Sequence, residues 1–135
     1  MQDRLARFEA SIWRETAKFL GEPRRPGLRR WLGTGSGKVY LRISQRFLDA
    51  GRPVCTLEIG AVEIAEKLRG QGWLKRYLAA LGECPLTPGT IILECVNEPR
   101  MLEHAERNWR PLPNTPQTFF LSKSELSAKY ASANP

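Results

Sequence analysis

Between residues 4 and 20, Leu5, Phe8, Ile12, Ala17, Phe19 and Leu20 recur among charged neighbours with the spacing of a helix that buries one stripe. Gly21 and Pro23 predict its end. The next stretch, 22–37, holds two prolines and five glycine or serine residues and reads as a loop, anchored to the core by Trp31 and Leu32. In 38–47 the period changes to two. Val39, Leu41 and Ile43 alternate with Tyr40, Arg42 and Ser44, the pattern of a half-buried strand. Asp49-Ala50-Gly51-Arg52-Pro53 predicts a hairpin turn into a second strand, 54–64, in which Gly60 marks a bulge or bend. Helical spacing returns with Trp73, Leu74, Tyr77, Leu78 and Leu81, and Gly82 predicts the close of that helix. A loop over 85–89 leads to 90–96, an apolar run broken only by Glu94, as in a strand covered on both faces. Pro99 suits the first turn of a helix reaching about Trp109, capped by Asn97 or Glu98. After a proline-rich stretch, 118–121 reads as the last strand, and the polar residues 122–135 as a frayed helix or a tail.

The order helix, strand, strand, helix, strand, helix, strand makes the chain α/β, with a single domain over 1–121 and a polar tail over 122–135. At 135 residues there is room for one core. No apolar run reaches the roughly 18 residues that a membrane span needs, and the charged, amphipathic start is no secretory signal. The three cysteines, Cys55, Cys84 and Cys95, are odd in number and widely spaced, which predicts reduced thiols and a cytoplasmic protein. With one histidine, no metal site is expected. A net charge of +7 points to an anionic partner. Arg24, Arg25, Arg29 and Arg30 are the one local concentration of charge, either a nucleic-acid or acidic-partner patch or a solvated basic loop.

Two glycine-rich stretches bear on chemistry. Gly33-Thr34-Gly35-Ser36-Gly37-Lys38 lacks the spacing of a nucleotide-binding P-loop, and Val39 stands where a magnesium-binding hydroxyl would be needed. Leu68-Arg69-Gly70-Gln71-Gly72-Trp73-Leu74 is more informative, because it joins a predicted strand to a predicted helix. Glycines let the backbone approach an anion, and the free N–H groups of a helix's first turn point at it. Lys75 stands where a dinucleotide fingerprint needs its third glycine.

From about position 54 to 121 the chain resembles the GNAT superfamily of acetyl-CoA-dependent N-acetyltransferases. Arg69-Gly70-Gln71-Gly72 matches the Arg-Gly-x-Gly form of that family's pyrophosphate loop, and Leu74 departs from its final small residue. Val96-Asn97 matches the end of the family's fifth strand, His104 takes the position of a tyrosine, and Asn108-Trp109 that of a Gly-Phe pair. The resemblance implies a mixed, mostly antiparallel central sheet flanked by helices, with a splayed strand pair that admits the coenzyme. It also implies acetyl-CoA as the cofactor, cradled by the N–H groups of Gly70, Gln71, Gly72, Trp73 and Leu74, with charge from Arg69 and an outer phosphate within reach of Lys75 or Arg76. Val62 and Ile64 would lie beside the pantetheine arm, a backbone N–H near Ile64 would polarise the acetyl carbonyl, and Asn97 would bind the pantetheine amide or cap the next helix.

Acetyl transfer to an amine needs a base for the ammonium proton and an acid for the departing thiolate. His104 is the candidate acid, with Tyr77 as a substitute, and Glu63 or Glu58 the candidate base; Glu63 shares a strand face with Ala61 and Ala65. The acceptor would be an amine of a protein, an RNA-linked group or a small molecule. One terminal strand after the last helix, where the family usually has two, suggests that a homodimer completes the substrate side. Two rival readings stand beside the enzyme. One is a GNAT-like protein that binds a partner without catalysis, favoured by Leu74 and the missing tyrosine; the other is a nucleic-acid module using the arginine patch.

Overall fold

The computed structural model describes residues 2–48, 52–94 and 99–131. The hairpin residues 49–51, Cys95, Val96, Asn97 and Glu98, and the last four positions lie outside the described residues. Helix α1 (Gln2–Leu20) is followed by strands β1 (Arg29–Thr34), β2 (Gly37–Phe47) and β3 (Pro53–Ile64). Helix α2 (Trp73–Glu83), strand β4 (Thr90–Leu93) and helix α3 (Pro99–Asn108) come next, then β5 (Arg110–Pro111), β6 (Phe119–Ser122) and α4 (Lys123–Tyr130). The six strands form one sheet in the order β1-β2-β3-β4-β6-β5. Every pairing is antiparallel except β3 with β4, which α2 connects. The element order makes the chain α/β as the pattern implies, and the mixed, mostly antiparallel sheet is the one that the resemblance implies.

The helices cover one face of the sheet. Ile12 and Phe19 of α1, Leu78 and Leu81 of α2 and Leu126 of α4 meet Leu41, Leu57, Ile59 and Ile91 of the strands in one core, all buried. The opposite face is polar. There Glu58, fully buried, accepts from Arg42 Nε at 3.0 Å and pairs with Arg46, while Arg42 also reaches Glu94 at 2.7 Å. Burial opposes a charge on Glu58, but the hydrogen bonds from Arg46 and Arg42 outweigh it and hold the carboxyl below its usual range.

The structure corrects the sequence reading at five places. Residues 29–34, taken as loop, are edge strand β1; its burial follows no alternation, because only Leu32 is buried, so period two gives no signal. Trp31 is no core anchor, standing 49% exposed with its ring 5.3 Å from that of Tyr40. Two strands follow α3 instead of one, since Arg110 and Pro111 pair with Phe120 and Phe119. Helix α2 runs through Gly82, where a side-chain carbon would come 2.7 Å from the backbone nitrogen of Ser127. That glycine admits α4 and does not end a helix. Finally, of a frayed helix or a tail, 123–130 is a helix, and not a frayed one: Ser122 and Glu125 form a reciprocal capping box, and Leu126 and Tyr130 are buried.

Gly60 is a bulge. Tyr40 pairs with Ala61 and Leu41 with Ile59, so Gly60 is the extra residue, and the Tyr40 ring lies where its side chain would begin. Pairing of β3 with β4 stops at the same level, at Ile59 with Leu93 and a last bond from Glu94 N to Ile59 O of 3.0 Å. Among the described residues, 60–64 pair with β2 alone. Beyond Glu94 the chain opposite 60–64 lies outside the described residues.

Candidate functional site

A cleft of about 1060 Å³ lies at the N-terminal end of α2. Its walls include Val62, Glu63 and Ile64 of β3, the turn over Arg69, Gly70, Gln71 and Gly72, Trp73 and Leu74 at the start of α2, and His104 of α3. Val62, Glu63, Ile64, the 69–74 loop and His104 are thus brought to one cleft, whereas Glu58, Tyr77 and Arg76 do not line it and Asn97 lies outside the described residues. The chain reaches α2 through a single 3₁₀ turn at Glu66–Leu68, fixed inward by buried Leu68.

Local backbone chemistry explains the shape of the loop. Gly70 and Gly72 both have left-handed backbones, with φ of 73° and 78°, which L side chains rarely adopt. Gly72 is the N-cap residue of α2, and no side chain caps the helix. The first backbone bond onto it runs from Arg76 N to Gly72 O at 3.1 Å. The amides of the first turn are left to whatever enters the cleft, where the helix dipole favours an anion. This donor set fits a pyrophosphate.

Side chains brace the loop from outside. Arg76 donates to both carboxylate oxygens of Glu9 on α1, at 2.8 and 2.7 Å, and to the carbonyl of Gln71 at 2.8 Å. It ties the loop to α1, so of the two expected phosphate cations only Lys75 lines the cleft. Arg69 donates through Nε to Ile64 O at 3.0 Å, and Gln71 through Nε2 to Lys67 O at 3.0 Å. Lys38 and Arg100, which the sequence did not single out, also line the cleft. Lys38 ends the glycine-rich stretch that fails as a P-loop. That stretch is the tight β1–β2 turn, in which a side chain on Gly33 would come 2.1 Å from Gly37 O.

The proton-handling candidates separate. Glu63 is exposed in the cleft, cross-strand from Lys38. Glu58 is taken by its two arginines and does not line the cleft, so it is no base there. Tyr77 is no acid: it is buried against α1, its hydroxyl 2.8 Å from Thr16 Oγ1, and burial pushes its ionisation far up. His104 is half-buried, with Nε2 2.7 Å from the Tyr130 hydroxyl and Nδ1 3.3 Å from Asn108 Nδ2. Burial, then Lys75, Lys129 and Arg107, hold its pKa below the ordinary 6.5. The shift favours the neutral ring, which can take up a proton.

The arginine cluster is divided. Arg24 donates to Leu86 O, and Arg30 pairs with Glu22 and lies over the Phe19 ring at 5.7 Å, leaving Arg25 and Arg29 exposed. No helix among the described residues is long and apolar enough to cross a membrane.

Comparison with solved structures places the fold. The KacTA–DNA complex aligns over 96% of this chain and 86% of that chain, with a TM-score of 0.57 and 14% identity. A mutant of the AtaT toxin, bound to the C-terminus of the antitoxin AtaR and to acetyl-CoA, aligns over 70% of this chain with a TM-score of 0.53 and 19% identity. AtaT complexed with acetyl-methionyl-tRNAfMet gives 70% coverage, a TM-score of 0.53 and 14% identity. The chain spans 62% of the length of that first AtaT chain. At these identities the likeness is one of fold, and the fold is GNAT-like. No family profile and no curated protein matches the chain.

Proposed function

We propose that this GNAT-like chain is an acetyl-CoA-dependent N-acetyltransferase. The observation that carries the reading is the uncapped N-terminus of α2, with two left-handed glycines before it, opening into the cleft walled by Val62, Glu63 and Ile64 of β3. Gly70, Gln71, Gly72, Trp73 and Leu74 would hold the pyrophosphate through backbone N–H groups, with Arg69 and Lys75 adding charge. Val62 and Ile64, which line the cleft, would lie beside the pantetheine arm, and a backbone N–H near Ile64 would polarise the acetyl carbonyl. Acetyl-CoA supplies an activated thioester. The acceptor nitrogen attacks its carbonyl carbon, a C–N bond forms, the C–S bond breaks, and the electron pair leaves on sulfur. The proton lost by nitrogen goes to one of two acceptors on the cleft wall, the Glu63 carboxylate or the neutral His104 ring.

The acceptor class we favour is an RNA-linked amine. A net charge of +7 and the cations Lys38, Lys75 and Arg100 around one cleft attract a polyanion, and one structural neighbour is complexed with an acetylated aminoacyl-tRNA. The test is a thermal-shift comparison of acetyl-CoA with ATP, followed by transfer of labelled acetyl groups to aminoacyl-tRNA. Acetyl-CoA at 100 times its dissociation constant should stabilise the fold by about 2.7 kcal/mol, and ATP should not. Equal or absent shifts overturn the coenzyme assignment. A coenzyme shift without turnover on aminoacyl-tRNA, protein or small amines leaves the non-catalytic binding protein.

A further inference from the structure

His104 sits in a network that bears on which of its nitrogens carries the proton. Asn108 is oriented by the backbone: its side-chain nitrogen donates to His104 O at 2.9 Å, and turning the amide round would set two oxygens against each other. The same nitrogen therefore faces His104 Nδ1, at 3.3 Å, with an N–H group. A ring nitrogen facing a donor must be the lone-pair nitrogen, so the hydrogen resides on Nε2. Nε2 lies 2.7 Å from the Tyr130 hydroxyl, and that oxygen accepts from the indole N–H of Trp109, also at 2.7 Å. Trp109 can only donate, so it takes one lone pair of that oxygen, and the other lone pair is there to accept from Nε2–H.

We propose that Asn108 and Tyr130 are positioning residues that hold His104 as its Nε2–H tautomer, leaving Nδ1 as the atom that takes the acceptor amine's proton. The inference rests on the acetyltransferase reading for its chemistry but not for its geometry. When the amine nitrogen bonds to the acetyl carbon, its proton passes to Nδ1, and the imidazolium so formed keeps a charge-assisted bond from Nε2–H to Tyr130 Oη. The proton then returns to solvent or to the departed thiolate. Lys75 of α2, Lys129 of α4 and Arg107 of α3 all act against a resting charge on the ring. The ring is thus kept neutral between turnovers. The long contact to Asn108 is weak enough to give way when a proton arrives.

His104 is the only histidine, so a chain labelled with ¹⁵N-histidine gives one imidazole to observe. Long-range ¹H–¹⁵N spectra of the full chain at pH 7 should show a neutral ring with its hydrogen on Nε2. A predominant Nδ1–H tautomer, or a charged ring, overturns the proposal. Asn108→Leu keeps much of the bulk but removes the facing donor, so the Nδ1–H form should appear and the ring should titrate at higher pH. Tyr130→Phe removes the partner of Nε2 and should mix the two tautomers. With a competent amine, Asn108→Leu should lower kcat about tenfold and move the acid limb of its pH profile upward, with KM for acetyl-CoA unchanged. A variant that changes stability but leaves tautomer and pH limb alone makes these residues structural only. If the wild-type tautomer is as stated and no amine is turned over, the acetyltransferase reading fails while the geometry stands.

Discussion

At the scale of single residues, the cleft depends most on positions with no side chain. Gly70 has open space where a side chain would begin, yet its φ of 73° suits few residues. Aspartate and asparagine tolerate that backbone better than most. Gly70→Asp should therefore fold and set a carboxylate among the donors of α2, abolishing the thermal shift by acetyl-CoA. Gly70→Asn, equal in shape but neutral, should retain part of it. Equal retention by both would mean that no anion sits at this helix end. Gly72 is a poorer probe, because a side chain there meets the Arg76 guanidinium at 2.9 Å and would disturb the brace to Glu9. Sequence spacing made these glycines legible. The role of Arg76 was not, since its partner lies 67 positions away and only the fold brings it near.

At the scale of elements, what could be read followed how regularly each one buries its side chains. Strand β2 alternates cleanly along its buried half and was legible, as was the bulge in β3 at a strand glycine. Edge strand β1 buries Leu32 alone, and β5 is two residues long, so neither carries a period. Helix α4 did carry a signal, Ser122-x-x-Glu125 before Leu126, hidden within a polar composition. Its docking makes Gly82→Ala a sharp test. On an exposed helix that change would stabilise by about 1 kcal/mol. Here the new carbon would lie 2.7 Å from Ser127 N and 2.8 Å from its Cα, both backbone atoms that cannot swing aside. Overpacking of this kind costs about 1–3 kcal/mol, so the net effect should be destabilising. The urea midpoint should fall with an unchanged slope; a rise would mean that α4 does not rest on α2.

For the whole molecule, the two faces of the sheet divide the work of holding it together, and acid should separate them. The helical face packs an apolar core with His104 at its cleft edge, whereas the open face carries buried Glu58 between Arg42 and Arg46. The carboxyl of Glu58 is held below its ordinary 4.5, so the folded state releases its proton more readily than the unfolded chain does. Its contribution is complete above about pH 4.5 and is lost as pH falls through the lowered folded value. His104 acts in the same direction in a higher window. Its folded pKa is below 6.5, so the unfolded chain binds the extra proton first, and stability starts to decline as pH drops through 6.5. Acid unfolding of the wild type should therefore begin with a shallow loss near pH 6.5 and steepen below 4.5. His104→Phe should remove the first part only. Glu58→Gln, which leaves Arg42 and Arg46 with Glu94 as their remaining carboxylate, should cost about 3 kcal/mol at neutral pH and flatten the steep part. Urea midpoints measured from pH 7.5 to 3.5 for the three proteins decide this. A wild-type midpoint that rises on acidification would reverse the sign of both shifts and remove the ionised Glu58 from the account of how this sheet holds its polar face.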